Sequence, residues 1–298
     1  MVSDMSFSKI DQKIMEREVR LPGHSLCPGC TGAIIERLVF NTLKNRKIVF
    51  HGPGVCAGGG TNLLKAPSLV LFLTGTGMGP TGISRALKVQ GRDDVKVVAM
   101  SGDGGACDIG FEKLSAAANR NEDYLQIVMD NEAYMNTGIQ RSGQTPLGAW
   151  TTTTPEGNKT SRTKNVPMIM AYHYVPYVAT ATVGYHQDFL NKIKKAIDIM
   201  GFRYIHTLVP CPTGWRFPTE KGIEISKMAV RSGIFPLYEV DNGVFRITYK
   251  PKERLPVSEY VRTQGRFRTI QEGQLQELQE HADLYWKQLL EMDGKRIH

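Results

Sequence analysis

Two short motifs carry residues of the right type and spacing for chemistry. Gly102-Asp103-Gly104-Gly105 follows an apolar run at Val95 to Met100, and Asp130-Asn131-Glu132-Ala133-Tyr134-Met135-Asn136 closes the next run, which begins at Leu125. A lone carboxylate between glycines, with a side-chain amide one strand away, suits a magnesium ion. Such an ion takes one or two protein oxygens and completes its octahedron with phosphate oxygens. The glycines let the backbone approach a phosphate, and a helix expected to start near Asp108 turns its N-terminus to the same anion. A dinucleotide site or a plain strand-to-helix turn is the alternative, but no Gly-x-Gly-x-x-Gly follows the first strand.

Cysteines form the second constellation. Cys27-Pro28-Gly29-Cys30 is a Cys-x-x-Cys turn, Cys56 lies in the glycine-rich stretch Gly52 to Gly60, and Cys211 lies in Pro210-Cys211-Pro212-Thr213-Gly214-Trp215. Turns allow four thiolates to converge on a zinc ion or a four-iron cluster, and spacing does not separate the two. One pair plus two isolated cysteines departs from the paired knuckles common in structural zinc sites. Cys107, beside the Gly-Asp-Gly loop, reads as a small buried apolar residue.

These loops need a scaffold. Strands are expected at Lys47 to His51, Leu69 to Thr74, Val95 to Met100, Leu125 to Asp130, Val178 to Ala181 and Arg203 to Val209. Helices are expected at Gly32 to Leu43, Gly82 to Val89, Phe111 to Asn119, Gln187 to Met200 and Lys221 to Ser232. Several strands lack polar alternation, which predicts an α/β fold: a mostly parallel sheet covered by helices on both faces. After Glu239 the pattern changes to a polar strand or hairpin near Phe245 to Tyr249. A helix follows with Leu275, Leu278, Ala282, Tyr285, Leu289 and Met292 on one stripe. The expected organisation is an N-terminal arm (1–20), a cofactor domain (21–240) and a C-terminal docking extension (241–298).

Composition narrows the class. The chain has 298 residues, 41% of them hydrophobic, with Lys+Arg 37, Asp+Glu 29, net charge +8 and five cysteines. Those values fit a globular chain and exclude a disulfide-stapled miniprotein or a long disordered one. The odd cysteine count argues for ligation or buried thiols in a reducing compartment. With no apolar leader and no span near the ~20 residues a membrane crossing needs, a soluble cytoplasmic protein is expected. The basic residues are spread out, so nucleic acid is not an expected partner.

Taken together, Gly23-His24-x-x-Cys27-x-x-Cys30, Gly102 to Gly110, Asp130 to Arg141, Thr145 to Pro155, Pro210 to Trp215 and Gln264-Gly265-Arg266-Phe267-Arg268 resemble the β subunit of 2-oxoacid:ferredoxin oxidoreductases. The nearest branch is that of the multi-subunit pyruvate:ferredoxin oxidoreductases. The resemblance implies a thiamine-diphosphate-binding fold carrying thiamine diphosphate, Mg2+ and one 4Fe-4S cluster. It implies cluster ligation by Cys27, Cys30, Cys56 and Cys211. Magnesium ligation falls to Asp103, the side chain of Asn131 and the carbonyl of Ala133. Val55, Cys56, Thr74, Thr76, Gly102, Gly104, Gly105, Met135 and Asn136 match residues around the cofactor. Asn136 is the catalytic candidate, orienting substrate oxygens. Arg141 is a candidate for a substrate carboxylate or a partner's acid, and His24 for holding the cluster loop.

The implied activity is oxidative decarboxylation of a 2-oxoacid, with electrons passed singly through the cluster to ferredoxin. The implied partners are an α subunit supplying the activating glutamate, γ and ferredoxin-like δ subunits, ferredoxin, and coenzyme A where the substrate requires an acyl acceptor. Glu16, Glu18 and Glu36 sit in no matching motif, so the chain alone is expected to be catalytically incomplete. Two regions depart from the family pattern: Gly54 to Gly60 around Cys56, and Leu71 to Gly82, which lacks the usual histidine or asparagine. The candidate substrates are therefore broad: pyruvate, oxalate, aryl glyoxylates, branched 2-oxoacids and 2-oxoglutarate. Two other readings compete. A non-oxidative thiamine-dependent decarboxylase would leave the cysteines incidental, and a zinc-stabilised nucleic-acid-binding protein would use the positive charge instead.

Overall fold

The computed structural model describes residues 23–52, 56, 65–155 and 158–298. Its strands are β1 (Lys47–His51), β2 (Ser68–Leu69), β3 (Val95–Gly102), β4 (Tyr124–Asp130), β5 (Tyr177–Thr182), β6 (Phe202–Leu208), β7 (Tyr238–Asp241) and β8 (Val244–Ile247). They form one eight-stranded sheet in the order β2-β1-β3-β4-β6-β5-β7-β8. The first six are parallel, and β7 and β8 add an antiparallel hairpin beside β5. Every residue of β4, β5 and β6 is buried, polar ones such as Gln126, Arg203 and His206 included, as expected of strands covered on both faces.

Alternate side chains feed two cores. On one face Ile127 and Ile205 meet Ile35, Val39 and Phe40 of helix α1 (Thr31–Leu43). On the other, Val128 and Tyr204 meet Leu114 and Ala117, with Leu289 from the C-terminal helix. That alternation is the period of two expected of a strand. A third core at the carboxyl edge gathers Leu208, Cys211, Trp215 and Ile225 with Val257, Tyr260, Phe267, Leu278 and Ala282. Residues after 240 share this core with earlier ones, and β7 (Tyr238–Asp241), which spans that position, pairs with β5 in the same sheet. Among the described residues no helix is long and apolar enough to cross a membrane.

Three local expectations are corrected. The apolar stretch Leu69 to Thr74 gives only the two-residue β2 and a 3-10 turn at Leu73–Gly75. Leu69, Val70 and Phe72 are exposed there, Phe72 by 87%, so the run is a surface and not a buried strand. The helix placed at Gly82 to Val89 begins a turn earlier, as α2 (Met78–Val89). Gly77, Gly79 and Pro80 disguise that first turn, where proline is tolerated because the N–H it lacks has no intrahelical partner. The helical segment after the Gly-Asp-Gly motif starts at Gly104, not near Asp108: a π-type turn, Gly104–Ile109, runs into α3 (Phe111–Asn119).

His51, the last residue of β1, is wholly buried, and neither ring nitrogen has a hydrogen-bond partner. Burial pulls its pKa down to about 4. The unfolded chain takes up a proton below about pH 6.5 that the fold refuses, so stability present above that pH is lost as pH falls towards 4. The loss is about 2 kcal/mol between pH 7 and pH 5. Urea denaturation of the protein and of His51→Phe at both pH values checks this, because the gap between them should change by that amount in favour of the variant at pH 5.

Candidate functional site

Parallel strands that neighbour one another deliver their following loops to one edge of the sheet. The order β1-β3-β4-β6 places Cys56, the Gly102 to Gly105 loop, Asn131 and Cys211 on successive strands of that edge. The carboxyl edge is where open α/β sheets bind ligands. The Cys-x-x-Cys turn arrives from the adjoining helix: Cys27 and Cys30 precede α1, and the Thr31 hydroxyl donates to the Pro210 carbonyl at 2.9 Å. The two cysteine loops are thereby tied together.

Three oxygens converge at the centre. The Asn131 side-chain oxygen lies 3.2 Å from Asp103 Oδ1 and 2.8 Å from the Ala133 carbonyl, acceptor facing acceptor. Its amide nitrogen points the other way, donating to Cys56 Sγ at 3.5 Å. Without a cation, the rotated amide satisfies the same groups: its nitrogen donates to Asp103 Oδ1 and the Ala133 carbonyl, and its oxygen accepts from the Cys56 thiol. A cation among the three oxygens satisfies every group in the orientation present. Asp103 itself is buried, and its Oδ2 accepts from the Ser142 hydroxyl at 2.6 Å. Burial, reinforced by Asp130, pushes its pKa well above the usual carboxylate range. Nearby acids have partners: Asp130 has His206 at 2.8 Å, Glu132 has Arg266 at 2.6 Å and Asp108 has Lys164 at 2.5 Å. The donor set of carboxylate, amide and backbone carbonyl is that of a hard divalent ion.

Room for an anion adjoins the cage. A side chain at Gly102 would meet nothing within 4 Å, whereas one at Gly104 would lie 2.5 Å from the Tyr134 ring. Tyr134 closes that contact by donating its hydroxyl to the Gly104 carbonyl at 3.0 Å. Gly105 faces Thr76, which is buried, while Thr74 is exposed on the 3-10 turn. Met135 lies against Gly214 of the Cys211 loop. Asn136 is exposed at the tip of the Tyr134 to Gln140 hairpin, and Val55 lies outside the described residues.

Cys27, Cys30, Cys56 and Cys211 lie within electrostatic reach of one another, whereas the strongest charged neighbours of Cys107 are Asp130, Asp103 and Asp108. Cys56 is influenced by Cys211, Cys30 and Cys27, and Cys211 by Cys30 and Cys27. Burial, with neighbouring thiols, pushes Cys56 up to about 12 and Cys211 up to about 11, and raises Cys30. Uncoordinated, these groups stay protonated, and binding a metal must release their protons. Cys107 is fully buried among acids on the other side of the loop. Among the described residues no group of three or more His, Cys, Asp or Glu side chains could hold a single metal ion.

Local geometry explains the Cys-x-x-Cys turn. Gly29 has φ +72°, and a Cβ there would overlap the backbone carbonyl of Thr219. Gly29→Ala therefore combines left-handed strain with a backbone collision. It should cost about 1–3 kcal/mol in a thermal unfolding measurement. His24 supports this turn through its Nδ1, which accepts from Leu26 N at 3.2 Å. Arg141 is exposed, with Nη2 donating to the Ser161 hydroxyl at 3.2 Å.

Several residues at the site lie outside the motif reading. Ser142 falls between two quoted motifs, and Glu132 and Arg266 lie within motifs without an assigned role. The Trp215 indole donates to the Asn131 carbonyl at 2.8 Å. A buried acid and a buried arginine inside otherwise motif-like segments were the available signal, because charges are seldom buried unpaired.

The thiamine pyrophosphate enzyme C-terminal TPP binding domain family matches residues 61–207. The chain is 42% identical over 285 residues to pyruvate synthase subunit PorB of Methanothermobacter thermautotrophicus, covering 93% of this chain and 99% of that protein. It is equally 42% identical over 284 residues to ketoisovalerate oxidoreductase subunit VorB of Pyrococcus abyssi, covering 90% and 91%. A solved 2-oxoglutarate:ferredoxin oxidoreductase from Magnetococcus marinus shares the fold with TM-score 0.60 at 22% identity, over 73% of this chain and 81% of that one. The edge that gathers Asp103, Asn131 and the cysteines is thus built on a thiamine-pyrophosphate enzyme fold, and the chain belongs to the β-subunit family of 2-oxoacid:ferredoxin oxidoreductases.

Proposed function

We propose that this chain holds thiamine diphosphate through magnesium at Asp103, Asn131 and the Ala133 carbonyl. A four-iron cluster is held by Cys27, Cys30, Cys56 and Cys211, and the pair of sites serves the oxidative decarboxylation of a 2-oxoacid. One observation carries the reading: a single side-chain amide, Asn131, lies between the Asp103 carboxylate and Ala133 carbonyl on one side and the Cys56 sulfur on the other. When bound, thiamine diphosphate supplies a ring that accommodates the electron pair left as carbon dioxide departs, and the cluster accepts electrons one at a time. The chain's own residues position both. Ser142 fixes Asp103, Tyr134 and Gly104 shape the phosphate side, and Asn131 bridges the two sites.

The substrate class is a small 2-oxoacid, by kinship with proteins named for pyruvate and ketoisovalerate. The activating glutamate comes from a partner α subunit, with γ and ferredoxin-like δ subunits and ferredoxin as the electron route. Coenzyme A is the acyl acceptor for such acids. The test is a panel of 2-oxoacids given to the complete complex with a viologen dye, with and without coenzyme A. Dye reduction with pyruvate or a branched 2-oxoacid, dependent on coenzyme A, is the expected result. Carbon dioxide release without dye reduction would favour a non-oxidative decarboxylase instead.

A further inference from the structure

Arg266 belongs to the C-terminal extension, far in sequence from either loop of the site, yet it is 3% exposed between them. Its guanidinium lies 3.8 Å from the centre of the Trp215 ring, and its Nη2 lies 2.6 Å from Glu132 Oε2. Its Nε donates to Gln264 Oε1 at 2.9 Å, and its backbone carbonyl accepts from Trp150 N at 2.8 Å. Each contact reaches a different part of the site. Trp215 closes the short helix that Cys211 caps, and its indole holds the Asn131 carbonyl. Glu132 sits between Asn131 and Ala133 at φ 63°, a left-handed conformation unfavourable for a glutamate. Its N–H donates to Asp130 Oδ1 at 2.8 Å and its carbonyl accepts from the Thr145 hydroxyl at 2.7 Å, while the permanently charged Arg266 guanidinium, stacked on Trp215, holds its side chain as an ion pair.

We infer that Arg266 is a positioning residue. By pairing with Glu132 and stacking on Trp215, it locks the loop carrying Asn131 and Ala133 to the loop carrying Cys211, holding the oxygen cage at a set place beside the cysteines. The inference rests on the proposed reading of the cage. Partners behind metal ligands usually change metal affinity 10–100-fold when removed.

The test uses the complete complex, titrated with magnesium and thiamine diphosphate, with iron per chain measured in parallel. Arg266→Met is expected to raise the dissociation constant about 10–100-fold while iron per chain stays at the unaltered level. Trp215→Phe keeps the ring but loses the indole N–H, and should weaken binding in the same direction. Combined with Arg266→Met it should do so by less than the product of the two effects, because both act on one loop. Arg266→Lys, which keeps charge but not the planar stack, should recover part of the affinity. A merely structural arginine would lose iron and cofactor together, without rescue by lysine. If Arg266→Met does not assemble, Glu132→Gln takes its place with the same expected loss. A dissociation constant within about twofold of the unaltered complex, or strictly multiplicative effects, would overturn the inference. If the unaltered complex bound no magnesium and thiamine diphosphate, the reading of the cage would fall first, and the inference with it.

Discussion

Replacing Asp103 by asparagine is expected to lower turnover of the complete complex about a hundred- to thousandfold, while the visible absorbance of the cluster stays unchanged. The carboxylate is the only formal charge among the three cage oxygens, and its second oxygen accepts from the neutral Ser142 hydroxyl. In the cation-free protein the same change should be stabilising. Asp103 has its pKa pushed well up by burial and by Asp130, so the folded state holds a proton more tightly than the unfolded one. Stability contributed by this group then falls as pH rises above the usual carboxylate range, and at neutral pH the fold pays for a buried charge. Asp103→Asn removes that cost and is expected to raise Tm in the cation-free protein. Adding magnesium and thiamine diphosphate reverses the order. The unaltered protein gains about 2.7 kcal/mol at a hundredfold excess over Kd, and the variant gains almost nothing. A thermal shift experiment with and without the pair reads both signs.

Cys211→Ala is expected to produce the complementary loss. Cluster absorbance and iron should disappear, and dye reduction should fall at least about a hundredfold, as for other essential metal-site contacts. Magnesium and thiamine diphosphate should still bind, because no cage oxygen comes from the Cys211 loop. The variant also loses a helix cap: Cys211 Sγ accepts from Gly214 N at 3.4 Å, ahead of the turn that seats Trp215. Loss of a cap costs about 1 kcal/mol, small enough for the fold to survive. Iron content by chemical assay and cofactor binding by titration separate the two sites. Unchanged iron in this variant would contradict the ligand assignment.

The parts of this molecule governed by local rules are legible in its sequence. The strands β3, β4 and β6 are runs rich in branched and aromatic residues without clean polar alternation, and Phe111–Asn119 is a helix at the limits its periodicity sets. Asp103 and Asn131 follow because they sit where two such strands end. Leu69 to Thr74 misleads because an apolar run signals burial and says nothing of what buries it. Here Phe72 and its neighbours stay exposed on this chain. Ser142 and the Glu132 to Arg266 pair are hidden for another reason. Their partners are distant in sequence, and a tertiary ion pair leaves no periodicity to detect.

The most direct measurement is made on the anaerobically purified complex: iron per chain, and the visible spectrum before and after a 2-oxoacid is added. The predicted result is about four iron per copy of this chain beyond the iron of the ferredoxin-like subunit, with absorbance that bleaches on adding substrate and fails to bleach in the Cys211→Ala complex. An active complex whose copy of this chain is colourless, or holds zinc in place of iron, would contradict the account.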